Sequence, residues 1–144
     1  PLLLIDFKKT SHEVFLFCRF DYTGLTMIQL PRLRRGTKPY TEAVKAVRAL
    51  VHARLAYWSQ VYGITYGKVA IRKQKTRWGS CSKKGNLNFN YRLGFLPAEL
   101  MDYVIVHELC HLAEHNHGPR FWTLVARSFP TYKALRPRLH TYRF

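Results

Sequence analysis

The pentapeptide His107-Glu108-Leu109-Cys110-His111 constrains this chain more than any other stretch. Two histidines four apart on a helix leave from one face, about 5–6 Å apart at Cβ. That spacing lets both imidazoles reach one zinc ion. Glu108, following the first histidine, holds the position of the general base in H-E-x-x-H metalloenzymes. The flanks favour a helix. Pro97 suits a first helical position, and Leu100 to Val106 is apolar almost all round, as in a buried helix. Carrying two imidazoles and a carboxylate into an interior is costly without partners; a metal removes that cost.

A catalytic zinc usually has three protein ligands and one open position for water. No acidic residue follows Glu114, which excludes a third ligand from a glutamate far downstream. Glu114, His115, His117 and His140 remain. His117 fits best, six residues beyond His111, provided the helix ends and the chain folds back. Asn116 and Gly118 flank it, and both tolerate bent backbone. His115 and Glu114 are the alternatives, although Glu114 falls on the helical face of His107 and suits a place behind the ligands. His52 has no neighbouring ligand candidate and reads as structural.

The rest of the chain supplies the scaffold. With 144 residues there is enough chain for one domain with a real core, and one domain is expected over 1–144. Residues 1–36 read as an N-terminal β segment, with strands over Leu2–Lys8, Val14–Phe20 and Thr26–Leu30 between turn-like stretches. Ala43, Val47, Leu50, Val51, Leu55 and Trp58 recur at helical spacing, predicting a helix from about Tyr40 to Tyr62 with Gly63 as its C-cap. Lys68–Ser80 reads as a strand and Ser82-Lys83-Lys84-Gly85 as a turn. Asn86–Tyr91 alternates polar and apolar, the period of a half-buried strand, so the two strands predict a hairpin. A further helix starts near Pro119, and residues 131–144 read as a basic tail around Pro137.

The formal charge is +16, and no Asp or Glu lies between Glu42 and Glu99 or after Glu114. Such a field draws anionic partners: nucleic acid, nucleotides or acidic peptides. It is equally consistent with a merely basic soluble protein. No apolar run reaches the ~18–20 residues of a membrane span. The opening Pro-Leu-Leu-Leu-Ile is too short for a secretory signal core. Three widely spaced cysteines, Cys18, Cys81 and Cys110, argue against a disulfide framework and for a cytoplasmic location. Cys81 and Cys110 read as small buried hydrophobes.

Arg77-Trp78-Gly79-Ser80-Cys81-Ser82, then Val106 to Leu112 around the two histidines, then Asn116-His117 and Phe121-Trp122, resemble the YgjP-like metallopeptidase domain, a zincin-like family related to WLM and SprT-like domains. The resemblance runs from about Lys68 to Trp122. It implies a compact zincin-like α+β fold, with a small, mostly antiparallel sheet beside the H-E-x-x-H helix. It also implies Zn2+ held by His107, His111 and His117, and Glu108 as the catalytic base. The histidine spacing matches metzincins too. However, Glu114 stands where they place glycine, and neither Met27 nor Met101 follows His117 to form a methionine turn.

The expected chemistry is hydrolysis by a zinc-activated water with Glu108 as base. Arg77 is the first candidate to stabilise a developing oxyanion, ahead of Arg72 and Arg120, and Trp78 is a candidate cleft wall. A peptide is the favoured substrate. A metal-dependent nucleoside triphosphate pyrophosphatase, acting on a pyrimidine nucleotide for example, is the main rival. A basic nucleic-acid-binding module with structural zinc is the third reading. It is weakened by Glu108 beside an open metal position, because structural zinc is normally closed by four protein ligands.

Overall fold

A computed structural model describes residues 28–30 and 32–143. The strands expected over Leu2–Lys8 and Val14–Phe20 lie outside these residues. From the third, Ile28–Gln29 forms a short strand, β1. Helix α1 spans Lys38–Tyr62, with Pro39 in its first turn. Gly63 ends it as expected, at φ 64 in the left-handed region where a Cβ is disfavoured. Ala43, Val47, Val51 and Leu55 form its buried stripe, while Val44, Leu50 and Trp58 are partly covered.

The strand expected over Lys68–Ser80 is instead two, β2 (Val69–Arg72) and β3 (Gly79–Cys81). Asn90 explains the break. Its side chain is wholly buried and donates to the carbonyls of Gln74 at 2.9 Å and Arg77 at 3.2 Å, while its own N–H bonds the Trp78 carbonyl at 2.8 Å. The connecting loop is thereby bound to strand β4 (Leu87–Asn90) instead of continuing the ladder. The expected turn forms between β3 and β4, with Gly85 at φ 77 and its N–H on the Ser82 carbonyl at 2.9 Å. The sheet is mixed rather than mostly antiparallel: β4 slots between the other two, parallel to β2 and antiparallel to β3. This leaves β3 on an edge.

A 3-10 turn (Tyr91–Phe95) leads into α2, Ala98–Cys110. Almost every residue of α2 is buried, as its all-round apolar sequence requires. Pro97 is its N-cap rather than its first residue, a one-residue difference typical of helix ends. The helix packs against α1, β3, α3 (Pro119–Ala126) and α4 (Tyr132–His140). A polar pair ties it to α1: Arg54 donates Nε to Asp102 at 2.7 Å and a second N–H to the same carboxylate.

The stretch read as a basic tail is largely α4, followed by strand β5 (Tyr142–Arg143), which pairs parallel with β1. Pro137 sits inside α4, where it removes a backbone donor. Burial of Leu135, with Leu139 and Tyr132 partly covered, outweighs that loss. The result is an α+β fold of four helices and a small mixed sheet among the described residues. No described helix is long and apolar enough to cross a membrane.

Candidate metal centre

His107 lies near the end of α2 and His111 is its C-cap. The chain then turns back, with Gly118 N–H on the Asn116 carbonyl at 2.8 Å, and α3 begins at Pro119. The bend expected around His117 therefore forms, but Gly118 contributes no left-handed backbone, having φ −79. His117 Nε2 comes to 3.1 Å from His107 Nε2 and 3.2 Å from His111 Nε2. Zinc–nitrogen bonds of about 2.0–2.1 Å at tetrahedral angles imply nitrogens roughly 3.3 Å apart, so this triad is nearly the size of a zinc site.

The donor chemistry points the same way. A proton on one ring can bridge one pair of these nitrogens, but it leaves another lone pair facing a lone pair. A cation at their common point resolves all three. His111 is already set up for one, because its Nδ1 lies 3.1 Å from the Glu114 carbonyl. Donation there leaves Nε2 as the ligand nitrogen. Glu114 thus acts through its backbone. Burial, reinforced by the neighbouring His111 and His117, pushes the His107 pKa down to about 3. Its imidazole is neutral at neutral pH, as a metal ligand must be. Burial also lowers His111, against the Glu114 carbonyl bond, which raises it. Among the described residues no other His, Cys, Asp or Glu joins this cluster.

Two aromatic residues from α3 fix the rings. Phe121, fully buried, stacks on His111 at 4.4 Å and meets His107 and His117 edge-on at 4.9 and 4.8 Å. Trp122 lies against His117 at 5.6 Å and stacks on Tyr132 at 4.7 Å.

Glu108, next to His107 on α2, lies against Gly79 of β3. It is 8% exposed, and burial raises its pKa to about 7, an effect the Arg77 charge opposes. Its carboxylate fits only because residue 79 is glycine. A Cβ there would stand 2.6 Å from Glu108 Cγ and 2.8 Å from Oε1.

A cavity of about 240 Å³ opens between β3, α2 and α4. Arg77, Trp78 and Gly79 line one side and His107 and Glu108 the floor. The candidates Arg77 and Trp78 are therefore brought to the site. Arg72 is not, its Nε being bonded to Asn88 at 2.9 Å, and neither is Arg120, absent from the cavity wall. Among the other histidines, His140 reaches the cavity wall but not the triad, while His115 and His52 are exposed and outside both. Burial raises the Cys110 thiol to about 12 and also raises Cys81, as inert packing residues require. The third wall, with Arg136 and Leu139 on α4, was missed from sequence because Pro137 reads as a helix breaker. The Tyr132, Leu135, Leu139 spacing was the available signal.

A family model of the YgjP-like metallopeptidase domain matches residues 37–142. The chain belongs to that family. Among solved structures it is similar to the metallopeptidase zymogen abylysin of Pyrococcus abyssi, at 30% identity and TM-score 0.59, covering 63% of this chain and 92% of that one. It is also similar in fold to the metallopeptidase zymogen jannalysin of Methanocaldococcus jannaschii, at 24% identity and TM-score 0.54, covering 62% of this chain and 91% of that one. No curated protein matches the chain. Family and neighbours together make this a metallopeptidase-type hydrolase domain.

Proposed function

We propose that the chain is a zinc-dependent peptidase, with His107, His111 and His117 as ligands and Glu108 as general base. The observation that carries this is the three-imidazole cluster with a buried carboxylate beside it on one cavity floor, in a chain of a metallopeptidase family. Held by these three imidazoles, zinc would supply a Lewis acid to polarise a carbonyl and to lower the pKa of a water towards about 7. Glu108 accepts the water proton and returns it to the leaving amine. Arg77 offers positive charge to the developing oxyanion, and Trp78 narrows the cleft. Strand β3, on the sheet edge and reaching the cavity through Gly79, suits backbone pairing with an extended peptide. A triad without a fourth protein ligand among the described residues favours an open, catalytic zinc over a closed structural one.

Metal content tests the ligands. The purified protein should hold about one zinc per chain. His117→Ala should bind it more weakly by competition with a chelator, whereas His52→Ala, on the exposed side of α1, should match wild type. Equal affinity for wild type and His117→Ala removes the third ligand.

Substrate class is tested by assaying zinc-loaded protein on peptide and nucleoside triphosphate panels. Cleavage of peptides, slowed in Arg77→Ala mainly through kcat, is expected. With neutral peptides KM should vary little with salt, since exposed charges are screened beyond about 8–10 Å at physiological ionic strength. Hydrolysis confined to triphosphates overturns the peptidase reading.

A further inference from the structure

We propose that Arg136 selects a carboxylate on the peptide substrate, an inference that rests on the peptidase reading above. Helix α4 packs against α2. Leu135 is buried in the core, and Arg138 donates to Glu99, in the first turn of α2, at 2.7 Å. Arg138 is thus neutralised by a partner. Arg136, two residues earlier, is on the cavity wall, and no carboxylate of the described residues pairs with it.

Arg136 is nevertheless held in place. Its guanidinium lies over the Trp122 ring, 5.3 Å from the centroid, and Trp122 is itself stacked on Tyr132 with planes 10° apart. A guanidinium over a ring keeps in-plane N–H donors for a ligand, and its planar fork matches a carboxylate better than an ammonium does. Trp122 also packs on His117, so Arg136 stands one aromatic ring away from the metal cluster.

The rest of the cavity agrees. Arg77 is a second cation on its lining, Tyr103, Val104 and Leu139 give an apolar body, and the one acid lining it is the buried Glu108. A volume of about 240 Å³ is below the ~300–1,000 Å³ of small-molecule pockets, which suits one or two residues of an extended chain. An apolar body with a cationic mouth accepts a carboxylate on a short stem and repels Lys or Arg. The carboxylate can come from an acidic side chain or from the peptide C-terminus.

The test uses full-length, zinc-loaded protein and matched labelled peptides. They carry glutamate or glutamine at each position near the cleaved bond, and each has a free or an amidated C-terminus. Wild type should favour the carboxylate-bearing member by ~10-fold or more in kcat/KM, the scale of a charge-assisted hydrogen bond. A gain from glutamate at one position identifies a side-chain site; a gain from the free terminus alone identifies the C-terminus. Arg136→Met should bring the ratio to about one, Arg136→Lys should restore part of it, and Arg136→Glu should shift preference to lysine peptides. The same peptides are titrated onto zinc-loaded Glu108→Gln protein, with and without Arg136→Met. A binding preference there that needs Arg136 supports the inference even if wild type cleaves no peptide, a result that would overturn only the peptidase reading. Equal ratios with and without Arg136 in both measurements overturn the inference.

Discussion

Glu108→Gln should retain zinc and fold but lose about 10²–10⁴-fold in kcat, the usual cost of removing a general base. The amide is nearly isosteric and is not one of the three clustered nitrogens, so the metal should stay. What it lacks is a lone pair basic enough to take the proton. The metal-free form has a second signature. Burial raises the Glu108 pKa to about 7 from an ordinary 4.5, so the folded state holds its proton to higher pH than the unfolded chain. Its contribution to stability is therefore full below about pH 4.5 and declines as pH rises towards 7. A glutamine there does not ionise. Without zinc, Glu108→Gln should unfold at higher denaturant than wild type at pH 8, and the gap should close at pH 5. Chelator-treated samples followed by urea denaturation at both pH values check the stability arm, and zinc-loaded turnover checks the catalytic arm. Turnover near wild type would show that another group is the base.

Gly79 links that expectation to the sheet. Gly79→Ala leaves all three histidines untouched but puts a methyl 2.6 Å from Glu108 Cγ. The carboxylate must move, so this variant should lose kcat in part while holding zinc like wild type. The family-like Arg-Trp-Gly-Ser-Cys strand thus acquires a physical reason for its glycine. The residue's φ is not in the left-handed region; the requirement is space.

The local rules in this chain were readable and the long-range ones were not. The i, i+4 histidines and the all-apolar run placed α2, and the apolar spacing with Gly63 placed α1. His117 was the candidate left by arithmetic on the remaining side chains, and the fold brings it beside His107 and His111. Nothing in Lys68–Ser80 announces that a buried asparagine near residue 90 will hold its middle as a loop, because that bond spans 16 residues. The parallel β2–β4 pairing follows from it and was equally hidden. Helix α4 was lost to a sound rule, that proline disfavours helix interiors, which a buried Leu135 overrode. With α4 went Arg136 and one wall of the cavity.

Phe121→Ala should be the most damaging single change to the fold and to the metal cluster together. The ring is wholly buried and touches all three imidazoles, at centroid distances of 4.4 to 4.9 Å. Truncating a core phenylalanine costs about 3–5 kcal/mol, a large share of the ~5–15 kcal/mol that holds a typical domain. The second loss is particular to this position. Without the ring, His111 and His117 regain side-chain freedom, and zinc must order them as it binds. Losing such support commonly lowers metal affinity about 10–100-fold. The two losses separate in one experiment. Because zinc binds the folded chain, it adds stability that grows with its concentration over Kd. Urea unfolding with and without zinc should therefore show a smaller zinc increment for Phe121→Ala than for wild type. Val51→Ala, an equally buried site on α1 away from the histidines, should lower stability while keeping the full increment. If Phe121→Ala also keeps it, the ring is ordinary core, and the three imidazoles are held in place by the backbone of α2 and the turn to Gly118.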